Sequence, residues 1–316
     1  MQTLEVHHST VYRYARPVRF GDHRLMFRPR DSHDLRLLET GLVIAPKPAK
    51  VRWLHDVFGN SIAVASFDTE AEELRFESHI RLNHYPLDGP QFEIEDYAAT
   101  YPFSYSAEEI PDLARNAQRH YPDPDHLVDD WAKRFVVTAG GPPDTRAMLA
   151  AMTLAIKESF TYASRHAEGT QTPVETLTGG TGSCRDFALF MMEAARSLGF
   201  AARFVSGYLY DPAADAAARK DEAKAGGGKK DATPVVGAGA THAWVQIYLP
   251  GAGWVEFDPT NGIVGGKSLI RVAVARDPAQ ACPLSGAWYG DAADYLGMTV
   301  DVQVTEVREP AEKAAA

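Results

Sequence analysis

The residue with the clearest chemical potential is Cys184, which stands where a glycine-rich turn meets a predicted helix. Unpaired backbone N–H groups and the positive end of the helix dipole at such a position favour a thiolate, the nucleophilic form of cysteine. The same N–H groups could stabilise an oxyanion on a substrate carbonyl. A lone cysteine is usually a small buried apolar residue, but such a residue does not need Gly179, Gly180 and Gly182 beside it. The turn therefore favours a catalytic thiol.

Two further residues could complete a nucleophilic site. His242 opens a predicted strand whose opposite face is apolar, and Asp258 ends the next predicted strand, just before Pro259. Each has an ordinary alternative, because a histidine is commonly a surface or core residue and an aspartate at a strand end commonly caps a turn. Together with Cys184 they would supply a nucleophile, a general base and a carboxylate that orients the base.

The length of the turn between these strands decides whether His242 and Asp258 can meet. A three-residue turn, Pro250-Gly251-Ala252, pairs residue 249 with residue 253 and places Asp258 diagonal to His242 on one face. A four-residue turn would put the two on opposite faces. We therefore predict the three-residue turn, or a bulge with the same effect. Glu256 shares the face, but Asp258 is nearer to His242 and has the shorter, less mobile side chain.

The elements that must position these residues are predicted from periodicity. Residues 1–95 alternate between apolar and polar side chains, as strands do, with a hairpin turn at 58–60. Helical spacing appears in three segments, 125–137, 144–160 and 184–199, and strands follow the last of them. The segment 211–240 has almost no large apolar residues and is predicted to be a mobile loop.

These patterns divide the chain into regions. We predict a β-rich N-terminal domain at 1–100, a catalytic domain at 101–265 that includes the mobile loop, a C-terminal β segment at 266–308 and a frayed tail at 309–316. A length of 316 residues suits about two domains.

Composition excludes several classes of protein. The two cysteines, Cys184 and Cys282, exclude a disulfide scaffold and a cysteine-rich zinc site. A formal net charge of −10 without a basic run argues against a nucleic-acid partner. We see no signal peptide and no apolar run of about 20 residues, so we expect no membrane partner and a cytoplasmic location. The sequence is silent on oligomeric state.

Other motifs are rejected on their context. Gly266-Lys267-Ser268 resembles the end of a P-loop, but the required upstream glycine is Asn261 and a strand pattern follows. The segment 237–242 lacks the third glycine of a dinucleotide fingerprint. His7 and His8 alternate within a strand and do not suggest a metal site. We expect neither a metal nor a cofactor.

Two segments together resemble a known family. GSCRDFA at 182–188 and THAWVQIYLPGAGWVEFDPTN at 241–261, in this order, are similar to the bacterial transglutaminase-like family of the papain-like transglutaminase and cysteine-peptidase superfamily. HDVFGN at 55–60 and RPR at 28–30 resemble the β-rich N-terminal region of that family. The resemblance implies an α+β fold, in which a papain/transglutaminase-like catalytic domain packs its nucleophile helix on an antiparallel sheet behind a β-rich N-terminal domain.

The resemblance also implies roles for the site residues: Cys184 as the nucleophile, His242 as the general base and Asp258 as the orienting carboxylate. One departure stands out. Animal transglutaminases use an upstream tryptophan side chain to bind the oxyanion, and no tryptophan lies between Trp131 and Cys184. This leaves the second oxyanion donor unassigned and weakens the case for protein crosslinking. The calcium sites of that family have no visible counterpart.

Three functions remain open. The first is a hydrolase that cleaves peptide, protein or amide substrates through a thioester, and we favour it. The second is a transferase in which an amine takes the acyl group, and the third is a non-catalytic binding module, which would not need all three site residues. We expect Trp244, Tyr162 and Arg185 to contact the substrate.

Overall fold

The computed structural model describes residues 1–85, 92–137, 140–165, 169–216 and 239–307. Helices and mostly antiparallel strands alternate along the catalytic half, behind a β-rich N-terminal region, so the predicted α+β class is confirmed. The helices are α1 (Ile110–Ala117), α2 (Leu127–Lys133), α3 (Thr145–Ser159), α4 (Pro173–Gly179) and α5 (Cys184–Ser197). Short 3-10 helices lie at Asp96–Ala98, Pro278–Ala281 and Ala292–Asp294.

The strands of the N-terminal region are β1 (Gln2–Phe20), β2 (His23–Leu25), β3 (Leu35–Ala45), β4 (Lys50–His55), β5 (Ser61–Ser66) and β6 (Glu70–His84). Those of the catalytic half are β7 (Thr161–Tyr162), β8 (Thr181–Gly182), β9 (Ala202–Leu209), β10 (His242–Leu249), β11 (Gly253–Asp258), β12 (Ile263–Val264) and β13 (Leu269–Ala275). The last three are β14 (Leu284–Ser285), β15 (Trp288–Tyr289) and β16 (Tyr295–Glu306).

Two antiparallel sheets form the N-terminal region. The long strand β1 pairs with β6 on one side and with β16 on the other, and β3 lies beyond β6. The second sheet has the order β14-β2-β5-β4. Leu74 and Phe76 of the first sheet pack against Leu25 and Ala63 of the second. In β6 these residues alternate with polar ones, whereas β5 is buried on both faces, since its Ile62 and Val64 belong to the cluster of the catalytic half.

The β4–β5 hairpin docks this region on the catalytic half. Its turn is predicted correctly at residues 58–60, where Gly59 has the positive φ of 75° that favours glycine. The side chain of Asn60, which follows, donates to the carbonyl of Val274 at 2.7 Å and accepts from its amide at 2.9 Å. A side chain of the N-terminal region therefore completes the hydrogen bonding of β13.

The catalytic half is built on a five-stranded antiparallel sheet of order β12-β11-β10-β9-β13, and α5 packs on β10 and β9. The helix contributes Phe187 and Phe190 to the same buried cluster as Val245 and Ile247 of β10. Helices α2, α3 and α4 cover its other sides. The predicted packing of this helix on an antiparallel sheet is confirmed.

The start of α3 and the end of α5 lie where the sequence predicts them. The carboxylate of Asp144 accepts from the amide of Ala147 at 2.8 Å and caps α3. Gly199, with a φ of 87°, follows the end of α5.

The predicted C-terminal β segment, 266–308, divides between two sheets. Strand β13 pairs with β9 and closes the catalytic sheet, whereas β14, β15 and β16 return to strands of the N-terminal region. The domain boundaries themselves stay predictions. The predicted tail at 309–316 lies outside the described residues.

The predicted mobile loop at 211–240 lies largely outside the described residues too, at 217–238. Its two ends are described and are held against β16. Asp215 accepts hydrogen bonds from the Tyr210 hydroxyl at 3.2 Å and from the amide of Glu306 at 3.1 Å. At the other end, the carbonyl of Gly239 accepts from the amide of Val302 at 3.1 Å.

Candidate active site

The β10–β11 hairpin has the predicted register. Leu249 pairs with Gly253, and the amide of Ala252 donates to the carbonyl of Leu249 at 3.0 Å, so the turn holds three residues. The pairing continues to Val245 and Phe257. His242 and Asp258 consequently lie on one face of the sheet, in diagonal positions.

His242 and Asp258 are in direct contact. The Nε2 atom of His242 lies 2.8 Å from Oδ2 of Asp258, and both side chains are fully buried. Asp258 also caps the turn that follows, as the alternative interpretation of this residue predicted: its Oδ1 accepts from the amide of Thr260 at 2.9 Å. The side chain of Asn261 donates to Oδ2 at 2.8 Å. The carboxylate is therefore fixed by several donors while it holds the imidazole.

The electrostatics of this pair favour the charged forms. Burial by itself would lower the pKa of His242, but the charge and hydrogen bond of Asp258, with a smaller contribution from Cys184, raise it above its usual value. Burial would raise the pKa of Asp258, but His242, Asn261 and the amide of Thr260 lower it. The contact with Asp258 therefore favours the protonated form of the imidazole and the ionised form of the carboxyl.

Cys184 meets the other side of the imidazole. It is the first residue of α5 and is 7 % exposed. Since Nε2 of His242 is bound to Asp258, the ring nitrogen that remains is Nδ1, which is buried and has no hydrogen-bond partner among the described residues. Cys184 lies close enough to the ring to raise the pKa of His242. As the first helical residue, Cys184 has no helical partner for its own amide.

The position of Cys184 depends on the residues on either side of it. A Cβ atom on Gly182 would lie 2.9 Å from the Cβ of Asp186, so the chain can pass here only as glycine. The buried carboxylate of Asp186 accepts from the amide and hydroxyl of Ser183 at 2.8 Å, from the amide of Gln171 at 2.7 Å and from Arg165 at 2.8 Å. These bonds fix the turn that carries the thiol.

Sequence reasoning missed Asp186 and Asn261. A serine followed three residues later by an acid at a helix start is a signal for the first, since it resembles a capping box. The short spacing from Asp258 is a signal for the second, because aspartate side chains bind groups two and three residues further on.

The three residues expected to contact substrate lie in different settings. Tyr162 is 37 % exposed. Arg185 stacks its guanidinium on Phe204 at 5.1 Å and donates to the carbonyl of Pro278 at 2.9 Å, so it already holds the segment after β13. Tyr162 is thus the member of the set with open surface beside Cys184.

The expectation for Trp244 needs correction. Its side chain has 0 % exposure and stacks on the imidazole of His242, with ring centroids 6.0 Å apart and an interplanar angle of 26°. Val205, Leu269 and Val274 bury it together with Phe58 of the β4–β5 turn. The face that alternation assigned to the site is covered by a distant part of the chain, so Trp244 supports His242 and has no surface for a ligand.

The rival carboxylate, Glu256, is engaged elsewhere. It accepts from the side chain of Gln246 at 2.6 Å and from Arg271 at 3.0 Å, and Arg271 also binds Asp34 of the N-terminal region. Its partners tie the sheet to the N-terminal region, whereas Asp258 contacts the imidazole.

The described residues hold neither a cluster of metal ligands nor a membrane-spanning helix. No three histidine, cysteine, aspartate or glutamate side chains there come together as a metal site. No helix in that part of the chain has the length and apolar character to cross a membrane.

Comparison with known families agrees with this architecture. Residues 4–83 match the bacterial transglutaminase-like N-terminal region, and residues 130–259, which include all three site residues, match the transglutaminase-like superfamily. Residues 130–259 therefore form a region of the transglutaminase-like superfamily type, and residues 4–83 form a region similar to the N-terminal region of bacterial proteins of this kind. The resemblance seen in the sequence is confirmed.

Individual relatives extend the match over the chain. An uncharacterized protein of Mycobacterium tuberculosis is 29 % identical over 314 residues, which is 94 % of this chain and 91 % of that protein. An uncharacterized protein of Mycobacterium leprae is 35 % identical over 124 residues, 38 % of this chain and 37 % of its own. The structure of a proposed cysteine protease from Cytophaga hutchinsonii shares the fold, with a TM-score of 0.65 and 19 % identity over 98 % of this chain and 92 % of that one.

The pKa shifts of His242 and Asp258 predict a range of pH in which their interaction stabilises the fold. Because the pKa of His242 is raised in the folded state, its protonated ring stabilises the fold. This stabilisation is fully present below the pKa of an unfolded histidine, about 6.5, and is lost as pH rises through the folded pKa. The lowered pKa of Asp258 contributes stability above the unfolded value of about 3.9, and this is lost as pH falls through the folded pKa.

Imidazole NMR measures the pair directly. We expect the His242 ring to stay protonated at pH 7 in the wild type and to titrate at lower pH in Asp258→Asn, because the carboxylate charge is then gone. The exposed His126 serves as a reference signal that the substitution leaves unchanged. A neutral His242 ring at pH 7 in the wild type would contradict the ion pair.

Proposed function

We propose that the chain is a cysteine-dependent acyl-transfer enzyme of the transglutaminase-like type. In this proposal Cys184 is the nucleophile, His242 the general base and acid, and Asp258 the carboxylate that orients the imidazole. The observation that carries it is the buried contact of 2.8 Å between Nε2 of His242 and Asp258, with the opposite ring nitrogen left to a thiol at a helix start. Nucleophile, base and orienter then come from α5, β10 and β11.

The chemistry follows from this arrangement. The Cys184 sulfur, whose proton has already passed to His242 to form the imidazolium, attacks the substrate carbonyl carbon, and the carbonyl π electrons move to oxygen. When the tetrahedral intermediate collapses, the C–N bond breaks and the leaving amine takes the proton from His242. Water then gives a proton to His242 and attacks the thioester, and the acid leaves as the sulfur regains its electron pair.

We propose hydrolysis of peptide or amide bonds as the net reaction. Tyr162, whose strand pairs with Gly182 two residues before Cys184, is 37 % exposed, so solvent lies close to the buried thiol. The protease activity proposed for the Cytophaga hutchinsonii protein of the same fold agrees with this choice. A transglutaminase would use the same three residues and differs in the acceptor, so the products decide between them.

Location and other partners stay predictions from the sequence. We propose a peptide, protein or amide substrate, a cytoplasmic location, and neither a nucleic-acid nor a membrane partner, on the composition and charge given above.

Products identify the reaction. Proteome-derived peptides are incubated with the wild type or with Cys184→Ala, with and without a labelled primary amine, and are analysed by mass spectrometry. We expect new peptide termini with the wild type and none with Cys184→Ala. Isopeptide bonds or incorporated amine would show transfer instead of hydrolysis. The absence of every product that depends on Cys184 would contradict the proposed enzyme.

The two carboxylates of β11 provide a matched pair of variants. Asp258→Asn is expected to lower the acylation rate by roughly 10²–10⁴, because the imidazole loses the charge that orients it and supports its protonated form. Glu256→Gln, which alters contacts to Gln246 and Arg271, should change the rate far less. Single-turnover kinetics on one substrate measures both. An equal or larger loss in Glu256→Gln would show that the orienting residue is misassigned.

A further inference from the structure

The proposed reaction passes through an oxyanion that needs hydrogen-bond donors. The amide of Cys184, at the first position of α5, provides one. No tryptophan lies between Trp131 and Cys184, so an upstream tryptophan side chain does not supply the second donor. A donor on another side chain close to the thiol would complete the oxyanion site.

The two-stranded sheet before α5 places Tyr162 at this point. Strands β7 and β8 are parallel and pair Tyr162 with Gly182, two residues before the thiol. The amides of Thr161 and Ala163 donate to the carbonyls of Gly180 and Gly182, each at 2.8 Å, and so fix the register on both sides of the tyrosine.

The face of this small sheet on which Tyr162 lies is the face toward α5. Paired residues on neighbouring strands share a face, and a Cβ atom on Gly182 would point at Asp186 and Phe187 of the first helical turn. Consistent with this, the ring of Tyr162 packs edge-on against Phe187, with centroids 6.4 Å apart. Because Gly182 has no side chain, the phenol has room beside the start of the helix.

The hydroxyl of Tyr162 is available to a ligand. It has no hydrogen-bond partner among the residues that the structure describes, and the side chain is 37 % exposed. Other tyrosines are engaged: Tyr101 and Tyr105 donate to backbone carbonyls, and Tyr248 donates to Glu109. The phenol, which lies near Cys184, thus keeps a free donor.

The electrostatic setting keeps that donor protonated. Burial, followed by the nearby charges of Cys184 and Asp186, raises the pKa of Tyr162 to about 12. A neutral phenol can donate a hydrogen bond, whereas a phenolate cannot.

We propose that the hydroxyl of Tyr162 is the second oxyanion donor, acting with the amide of Cys184. The assignment rests on the proposed acyl-transfer function. As the sulfur–carbon bond forms, the carbonyl π electrons move to oxygen, and Tyr162 donates its hydrogen bond to that oxygen without giving up the proton. When the carbonyl re-forms and the leaving group departs, the hydrogen bond weakens again. Tyr162 is a catalytic residue in this sense, since it touches the reacting atom.

The test separates oxyanion binding from the reactivity of the thiol. Tyr162→Phe removes only the hydroxyl, and Tyr97→Phe removes one from another exposed tyrosine, on a separate 3-10 helix, as the matched control. Two probes are used on the full chain: turnover of p-nitrophenyl acetate, which forms an oxyanion, and alkylation of Cys184 by iodoacetamide, which does not. We expect Tyr162→Phe to lower kcat/KM for the ester by roughly 10²-fold and to leave the alkylation rate of Cys184 unchanged.

Each other outcome has a distinct meaning. Ester turnover equal to that of the wild type and of Tyr97→Phe would overturn the role of Tyr162 while leaving the acyl-transfer proposal intact. An equal loss in both probes would overturn it as well, because the tyrosine would then only position the thiol. Failure of the proposed function is seen separately, as wild-type ester turnover that persists in Cys184→Ala.

Discussion

The buried ion pair between His242 and Asp258 is the constraint on which the site depends. Two charges removed from water carry a desolvation penalty of several kcal/mol each, which good geometry and further hydrogen bonds must offset. Asp258 receives those bonds from Thr260 and Asn261 in the turn that follows its strand. His242 is left with one unbound ring nitrogen, and Cys184 lies close enough to the ring to raise its pKa.

The position of this pair depends on distant parts of the fold. The three-residue turn sets the register that brings the two side chains to one face, and Gly182 with Asp186 fixes the start of the helix that carries Cys184. The back of the imidazole is closed by Trp244, which Phe58 of the N-terminal region helps to bury. Together these contacts keep the pair away from water, so its electrostatic interaction is strong.

Local sequence patterns predicted those parts of the site that depend on residues close together in the sequence. The alternation of apolar residues from Ala243 to Leu249 and the length of the turn determine the hairpin register, and the glycines before Cys184 mark the helix start. The burial of Trp244 and the return of β14, β15 and β16 to the N-terminal sheets could not be predicted in this way. They depend on pairing between segments far apart in the sequence. The two-residue periodicity of a strand indicates that one of its faces is buried, but it does not indicate which segment buries that face.

The relative reactivity of the two thiols tests most directly whether the His242–Asp258 pair activates Cys184. Accessibility alone favours Cys282, which is half-buried, over Cys184, which is 7 % exposed. Brief labelling with iodoacetamide near neutral pH, followed by peptide mapping, gives both rates in one sample. Cys184 is expected to react faster than Cys282 in spite of its burial. Faster labelling of Cys282 would contradict the assignment of Cys184 as the activated nucleophile.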